Sequence, residues 1–100
     1  MKRTKSMVYK ASVDARELAL FTQNDSGLYA RRIQPVLLNL KRKAAKGVYD
    51  TDKAVDLWYY VACDAATEYR KQYGGTFTVQ ERFTAAVDLE ECYRGEVLEG

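Results

Sequence analysis

The chain has 100 residues, of which 47% are hydrophobic and 30% charged, and its formal net charge is +2. A single proline, the lack of low-complexity tracts and apolar residues with a helical period predict one folded domain and exclude a disordered chain. The chain has no histidine, and its cysteines, Cys63 and Cys92, lack Cys-x-x-Cys spacing. This composition argues against a metal site and excludes a Ser-His-Asp or Cys-His nucleophile.

The N-terminal residues are basic but do not form a targeting signal. No apolar segment follows Lys2, Arg3 and Lys5, and no apolar run in the chain is long enough to span a membrane. We therefore predict a cytoplasmic protein without membrane partners or cofactors, with both thiols reduced. Residues 1–11 are predicted to form a basic flexible tail, and residues 12–100 a single helical domain.

The first predicted helix begins at Ser12, a plausible N-cap, and ends at about Gln23. Its apolar residues are Val13, Leu18, Leu20 and Phe21. The sequence Asn-Asp-Ser-Gly at residues 24–27 is a turn signal, so the helix is expected to stop there.

A second, amphipathic helix is predicted from about Leu28 to Lys46, with Gly47 as its C-terminal cap. At 100° per residue, its apolar face contains Tyr29, Ile33, Val36, Leu37, Leu40 and Ala44. The opposite, basic face contains Arg31, Arg32, Asn39, Arg42, Lys43 and Lys46. Pro35 lies inside the helix and removes one backbone hydrogen bond, so we expect the helix to be kinked or broken there.

A third helix is predicted from an N-cap at Asp50 or Thr51 to about Tyr73, before the pair Gly74–Gly75. Its core stripe is predicted to be Val55, Trp58, Ala62, Ala65, Tyr69 and Tyr73. The sequence Thr-Val-Gln-Glu at residues 78–81 is a capping box that opens a fourth helix, predicted to end at about Arg94. The apolar face of this helix is predicted to contain Val79, Phe83, Ala86 and Tyr93. The fold class is therefore all-α, a small bundle of about four helices.

The second and third helices resemble small, mostly uncharacterised open reading frames of bacteriophages and related mobile elements. The resemblance covers roughly residues 18–73. The matching residues are Phe21, Asn24, Leu28, Tyr29, Arg32, Pro35, Val36, Asn39, Leu40, Lys43, Lys46, Gly47, Tyr49, Asp50, Lys53, Ala54, Leu57 and Tyr69. The resemblance implies a phage-type origin and a compact helical fold, and it carries no activity or site residue to this chain.

Charge is distributed unevenly along the chain. Residues 1–50 carry eleven Lys/Arg and four Asp/Glu, whereas residues 51–100 carry five and ten. The basic face of the second helix is therefore a candidate nucleic-acid or anion-binding surface. Two alternatives stay open: the basic residues complement the helix dipole, or the acidic helices neutralise them, with Glu68, Glu81 and Asp88 as candidate partners.

The carboxylates give little support for an enzyme. The pairs Asp52/Asp56 and Glu90/Glu91 are typical of solvated helix surfaces, so we predict a non-enzymatic protein. Glu90 is unusual because it falls within the apolar face of the fourth helix. A buried carboxylate is costly unless it is paired. Either the helix frays there and Glu90 reaches water or an arginine, or Glu90 forms a buried ion pair with Arg32 or Arg70.

A second candidate surface lies on the third helix, to one side of its core stripe. It contains Tyr59, Tyr60, Cys63 and Asp64. Eight tyrosines in 100 residues is a high number, and exposed tyrosines are typical of interfaces. We therefore expect a protein-interaction module that binds a host protein complex, with nucleic-acid binding by the basic face as the alternative and self-association left open.

Overall fold

The computed structural model describes residues 14–99, which form four helices and contain no strand. Helix α1 occupies residues 14–24 of the described part. Helix α2 occupies residues 26–45 and consists of Ser26–Leu28, a π-helical turn at Tyr29–Ile33 and Gln34–Ala45. Helices α3 and α4 are Thr51–Tyr73 and Val79–Glu99. The predicted all-α bundle is confirmed, whereas the predicted tail at residues 1–11 and the cap at Ser12 lie outside the described residues.

The turn between α1 and α2 is shorter than predicted. Only Asp25 separates the two helices; it has an extended backbone, and its Oδ1 accepts a hydrogen bond from the Leu28 amide at 2.9 Å. Because this carboxylate satisfies a free amide of the first turn, α2 starts at Ser26, two residues before the predicted start.

Helix α2 is not broken at Pro35. The π turn at Tyr29–Ile33 ends one residue before the proline's neighbour Gln34, whose amide donates to the Tyr29 carbonyl, five residues back. A widened turn of this kind re-routes backbone hydrogen bonds near a residue that has no amide proton. Of the predicted kink or break, the helix shows no break, and the kink stays a prediction.

The predicted caps of α3 and α4 are confirmed. Asp50 Oδ1 accepts from the Lys53 amide at 3.2 Å, and α3 ends at Gly74, whose φ of 80° requires glycine. At α4, Thr78 and Glu81 form the reciprocal capping box, with N···O distances of 2.7 and 3.0 Å.

Helix α4 continues past its predicted end at Arg94. Gly95 is helical, Val97 on the last turn is buried, and Glu96 forms an ion pair with Lys41 of α2 at 3.1 Å. Burial of a valine contributes about 1.5–3 kcal/mol, which exceeds the roughly 1 kcal/mol cost of a glycine inside a helix.

The core lies where α3 packs against α4, which is the most extensive helix pair, while α2 packs mainly on α4. Trp58 is fully buried and stacks on Tyr93, with ring centroids 5.2 Å apart. The predicted apolar face of α2 is confirmed at Ile33, Leu37 and Leu40.

Some predicted core residues are exposed instead. Tyr73 of α3 and Val79 and Phe83 of α4 are exposed, as is Leu20 of α1. The predicted face of α4 is confirmed at Ala86, which is buried, and at Tyr93, which packs against the core. The same side of the helix also buries Ala85, Leu89, Glu90 and Val97. Val79 and Phe83 are exposed because they lie in the first two turns of α4, before its buried segment begins at Ala85.

Two glycines give a stability test with opposite expected signs. Gly47 has a φ of 74°, which alanine adopts at a cost, so Gly47→Ala should lower the free energy of unfolding by about 1 kcal/mol. Gly95 lies inside α4 with no atom within 4 Å of a Cβ placed there, so Gly95→Ala should raise it by about 0.5–1 kcal/mol. Urea denaturation of both variants measures the two effects, and effects of the same sign would contradict these backbone assignments.

Candidate functional site: interaction surfaces

The basic face of α2 is solvent-exposed along most of its length. Arg31, Asn39, Arg42 and Lys46 are exposed, and Arg32 and Lys43 are partly buried. Leu38, which was not among the predicted site residues, is 58% exposed on the same side. The face therefore combines cations with one aliphatic side chain.

Neutralisation of α2 by the acidic helices is only partial. Arg32 Nε lies 2.7 Å from Asp64 Oδ2 of α3, an electrostatic contact without the angle of a directed hydrogen bond. Lys41 pairs with Glu96 of α4. The predicted partners Glu68, Glu81 and Asp88 form no ion pair within the described residues, so their assignment is wrong.

Four cations of α2 have no carboxylate of the described residues within 4.0 Å. They are Arg31, Arg42, Lys43 and Lys46. The two pairs that do form are largely exposed, and pairs of that kind contribute at most about 1 kcal/mol each. Most of the positive charge on this helix is thus available to an external anion.

The predicted surface on α3 is partly open to solvent. Tyr60 is 63% exposed, and Tyr59 is half-buried with its ring centroid 6.1 Å from that of Tyr60. Cys63 is half-buried, and Asp64 is exposed but paired with Arg32. The Arg32–Asp64 contact therefore joins the two predicted surfaces at one edge.

A cleft between α3 and α4, with a volume of about 460 Å³, was not predicted as a site. It is lined by Thr51, Asp52, Val55 and Asp56 of α3 and by Phe83, Val87, Glu90, Glu91 and Arg94 of α4. We call it the acidic cleft. Both carboxylate pairs noted in the sequence, Asp52/Asp56 and Glu90/Glu91, contribute to it. Sequence spacing alone did not indicate that α3 and α4 place them on opposite walls of one cleft.

Glu90 lies in the wall of the acidic cleft and is only 1% exposed. Its carboxylate accepts hydrogen bonds from the Tyr49 hydroxyl at 2.7 Å and from Arg94 Nε at 2.8 Å, and Arg94 Nη2 donates to its second oxygen. The helix does not fray at this point, and Glu90 reaches an arginine, the exposed Arg94 one turn further along α4, rather than forming a buried ion pair with Arg32 or Arg70.

The charge network around Glu90 shifts the ionisation of its members. The hydrogen bonds from Arg94 lower the pKa of Glu90, with a further contribution from Tyr49, against the opposing effect of burial. Burial and the adjacent carboxylate raise the pKa of Tyr49. Glu90 is therefore held ionised, and the network stabilises the fold rather than offering a reactive group.

An aromatic cluster lies where α1 meets the C-terminal end of α3. The rings of Phe21, Tyr73 and Phe77 surround Tyr69, with centroid distances of 4.9–5.2 Å from it. The Tyr69 hydroxyl donates to Glu17 Oε2 at 3.3 Å, and burial together with Glu17 raises the pKa of Tyr69. This cluster anchors α1 on α3, a contact that helical periodicity did not predict.

The described residues contain no group of three or more His, Cys, Asp or Glu side chains arranged to hold a metal ion. None of their helices combines the length and apolar character needed to cross a membrane. Comparison with protein-family models, curated proteins and solved structures finds no match to this chain.

Proposed function

We propose that this chain is a small non-enzymatic interaction module that binds a host protein complex through the α3 surface around Tyr60. The observation that carries the proposal is the 63% exposure of Tyr60 on a helix whose following residues, Val61 and Ala62, are fully buried. The resemblance to bacteriophage reading frames supports an accessory role in the cytoplasm of a host cell. No residue is assigned a catalytic part.

The rigidity of α3 suits this surface to binding. An exposed tyrosine offers a large amphipathic contact area and loses little conformational entropy when its backbone is already fixed. Tyr59 is packed against Tyr60, and Cys63 lies one turn further along the same side. A partner that covers this surface would therefore bury an aromatic anchor at low ordering cost.

Retention of a partner should depend on Tyr60. With affinity capture from nuclease-treated host lysate, Tyr60→Ala should reduce the retained partner by about 30-fold, the effect of a 2 kcal/mol hot spot. Leu98→Ala is the control, since Leu98 is an exposed apolar side chain on α4, away from the α3 surface. Equal retention by both variants would exclude the Tyr60 surface.

Nucleic-acid binding by α2 is the second candidate, favoured by the cations that have no partner among the described residues. From Arg31 to Lys46 the helix extends about 22 Å, enough to follow several phosphates. Asn39 lies between the cations and offers an amide that could reach a base edge.

Salt dependence tests this second candidate. Four contacts should give a slope of about −4 for log affinity against log salt on duplex DNA, and Arg42→Ala with Lys46→Ala should flatten it by about two units. The control pair Arg70→Ala with Lys71→Ala removes the same charge from α3 and should leave the slope unchanged. Binding that ignores both salt and the α2 variants would exclude contacts by the basic face.

A further inference from the structure

We propose that copies of this protein associate head to tail, with the outer side of α2 in one copy seated in the acidic cleft of the next. This inference concerns surfaces other than the one around Tyr60 and does not rest on the proposed function.

The acidic cleft carries unbalanced negative charge around an apolar wall. Its lining has four carboxylates and one guanidinium, a net charge of −3. Arg94, the guanidinium, is already bound to Glu90, and no Lys or Arg of the described residues lies within 4.0 Å of Asp52, Asp56 or Glu91. Phe83, 48% exposed, provides apolar surface beside them. The cleft therefore suits a cationic segment with an apolar anchor.

The outer side of α2 has this character. Leu38 is 58% exposed, and Arg42 follows it by one turn, while Arg31 precedes it and Lys46 follows it by two turns. At helical spacing these four side chains form one row. The row presents three positive charges and a central aliphatic side chain. The charges complement the carboxylates of the acidic cleft, and the aliphatic side chain complements its apolar wall.

The two surfaces cannot meet within one chain. Lys53 and Ala54 of α3 line a crevice with Leu40 and Lys43 of α2, and so face towards α2. Asp52, Val55 and Asp56 line the acidic cleft. At 100° per residue these two sets point to nearly opposite sides of α3. The cleft therefore opens away from α2, and only a second copy can bring the two surfaces together.

Such an interface is heterologous, because each copy contributes a different surface. One copy can then bind a neighbour at each end, so assembly grows with concentration unless the geometry closes a ring. Since the interface joins exposed charges, its affinity should fall as salt shortens the Debye length from about 10 Å at 0.1 M.

Two complementary variants test the arrangement by analytical ultracentrifugation. Arg31→Ala with Arg42→Ala removes charge from α2 and leaves the cleft intact, whereas Asp56→Lys with Glu91→Lys reverses the cleft and leaves α2 intact. Each variant alone should be monomeric, while the wild-type protein should show concentration-dependent assembly that weakens at least tenfold in about 0.5 M salt. Melting temperatures confirm that both variants are folded.

The mixture of the two variants gives the decisive result. One partner has only an intact cleft and the other only an intact α2, so mixing should form a single interface and stop at a heterodimer. A wild-type protein that stays monomeric at about 1 mM, or a mixture that does not associate, would overturn the proposal. Association that appears only after removal of residues 1–13 would also overturn it, in favour of an occupant from the same chain.

Discussion

Replacing Trp58 by alanine should lower the free energy of unfolding by about 3–5 kcal/mol, the largest effect expected of any single substitution in this chain. Trp58 is fully buried and stacked on Tyr93 at an interplanar angle of 16°. Alanine would leave a cavity between α3 and α4 and remove this stacking. Urea denaturation followed by circular dichroism measures the loss without relying on the tryptophan signal.

A conservative variant shows whether the loss of stability comes from lost packing or from a misfolded protein. Trp58→Phe keeps an aromatic ring against Tyr93 and should cost less than Trp58→Ala. The native protein should also emit at the short wavelength of a buried indole. Native emission typical of solvated tryptophan, or a loss below about 1 kcal/mol in Trp58→Ala, would contradict the central position of this residue.

The starts of α3 and α4 could be predicted because their determinants are local. Asp50 accepts from the amide of Lys53, and Thr78 and Glu81 satisfy each other's amides, all within three residues of one another. The core position of Trp58 could also be predicted, since it lies within a long apolar stripe on α3. Signals of this kind depend only on residues within one or two helical turns, so they can be recognised from the sequence alone.

The candidate surfaces depend on packing between distant segments and could be predicted only in part. Phe83 was assigned to the core because its spacing fits the apolar face of α4, but it lies in the lining of the acidic cleft and is 48% exposed. The acidic cleft exists only because α3 and α4 pack side by side, which places Asp56 and Glu91 in one lining. The predicted end of α4 at about Arg94 was wrong for a similar reason, because the burial of Val97 depends on packing against other helices and not on the local sequence.

Glu90 was recognised from sequence as a carboxylate on an apolar face, with two alternatives left open: a frayed helix end where it reaches water or an arginine, or an ion pair with Arg32 or Arg70. Its partner in the structure, Arg94, lies four residues further on, the spacing at which helical side chains meet. Continuation of the helix to Glu99 fixes Arg94 in reach of the carboxylate.

Replacing Glu90 should have the second largest effect. Glu90→Gln keeps the size of the side chain but removes the charge that Arg94 binds, so the free energy of unfolding at neutral pH should fall by about 1.5–3 kcal/mol. Glu90→Ala should cost more, because it also leaves the Tyr49 hydroxyl without its acceptor. Glu91→Gln, a substitution at the exposed neighbour, should stay within about 0.5 kcal/mol of wild type.

The pH dependence of stability should identify the ionised carboxylate as the cause. The pKa of Glu90 is lowered in the folded state below the ordinary glutamate value of 4.5, so above that pH both states are ionised and the stabilisation is complete. As the pH falls through 4.5 towards the lowered pKa, the unfolded chain binds the proton first, and the stabilisation is lost. The difference in unfolding free energy between wild type and Glu90→Gln should therefore be constant at neutral pH and shrink in acid. A difference that stays constant into acid would show that the charge of Glu90 contributes nothing and that its effect is steric.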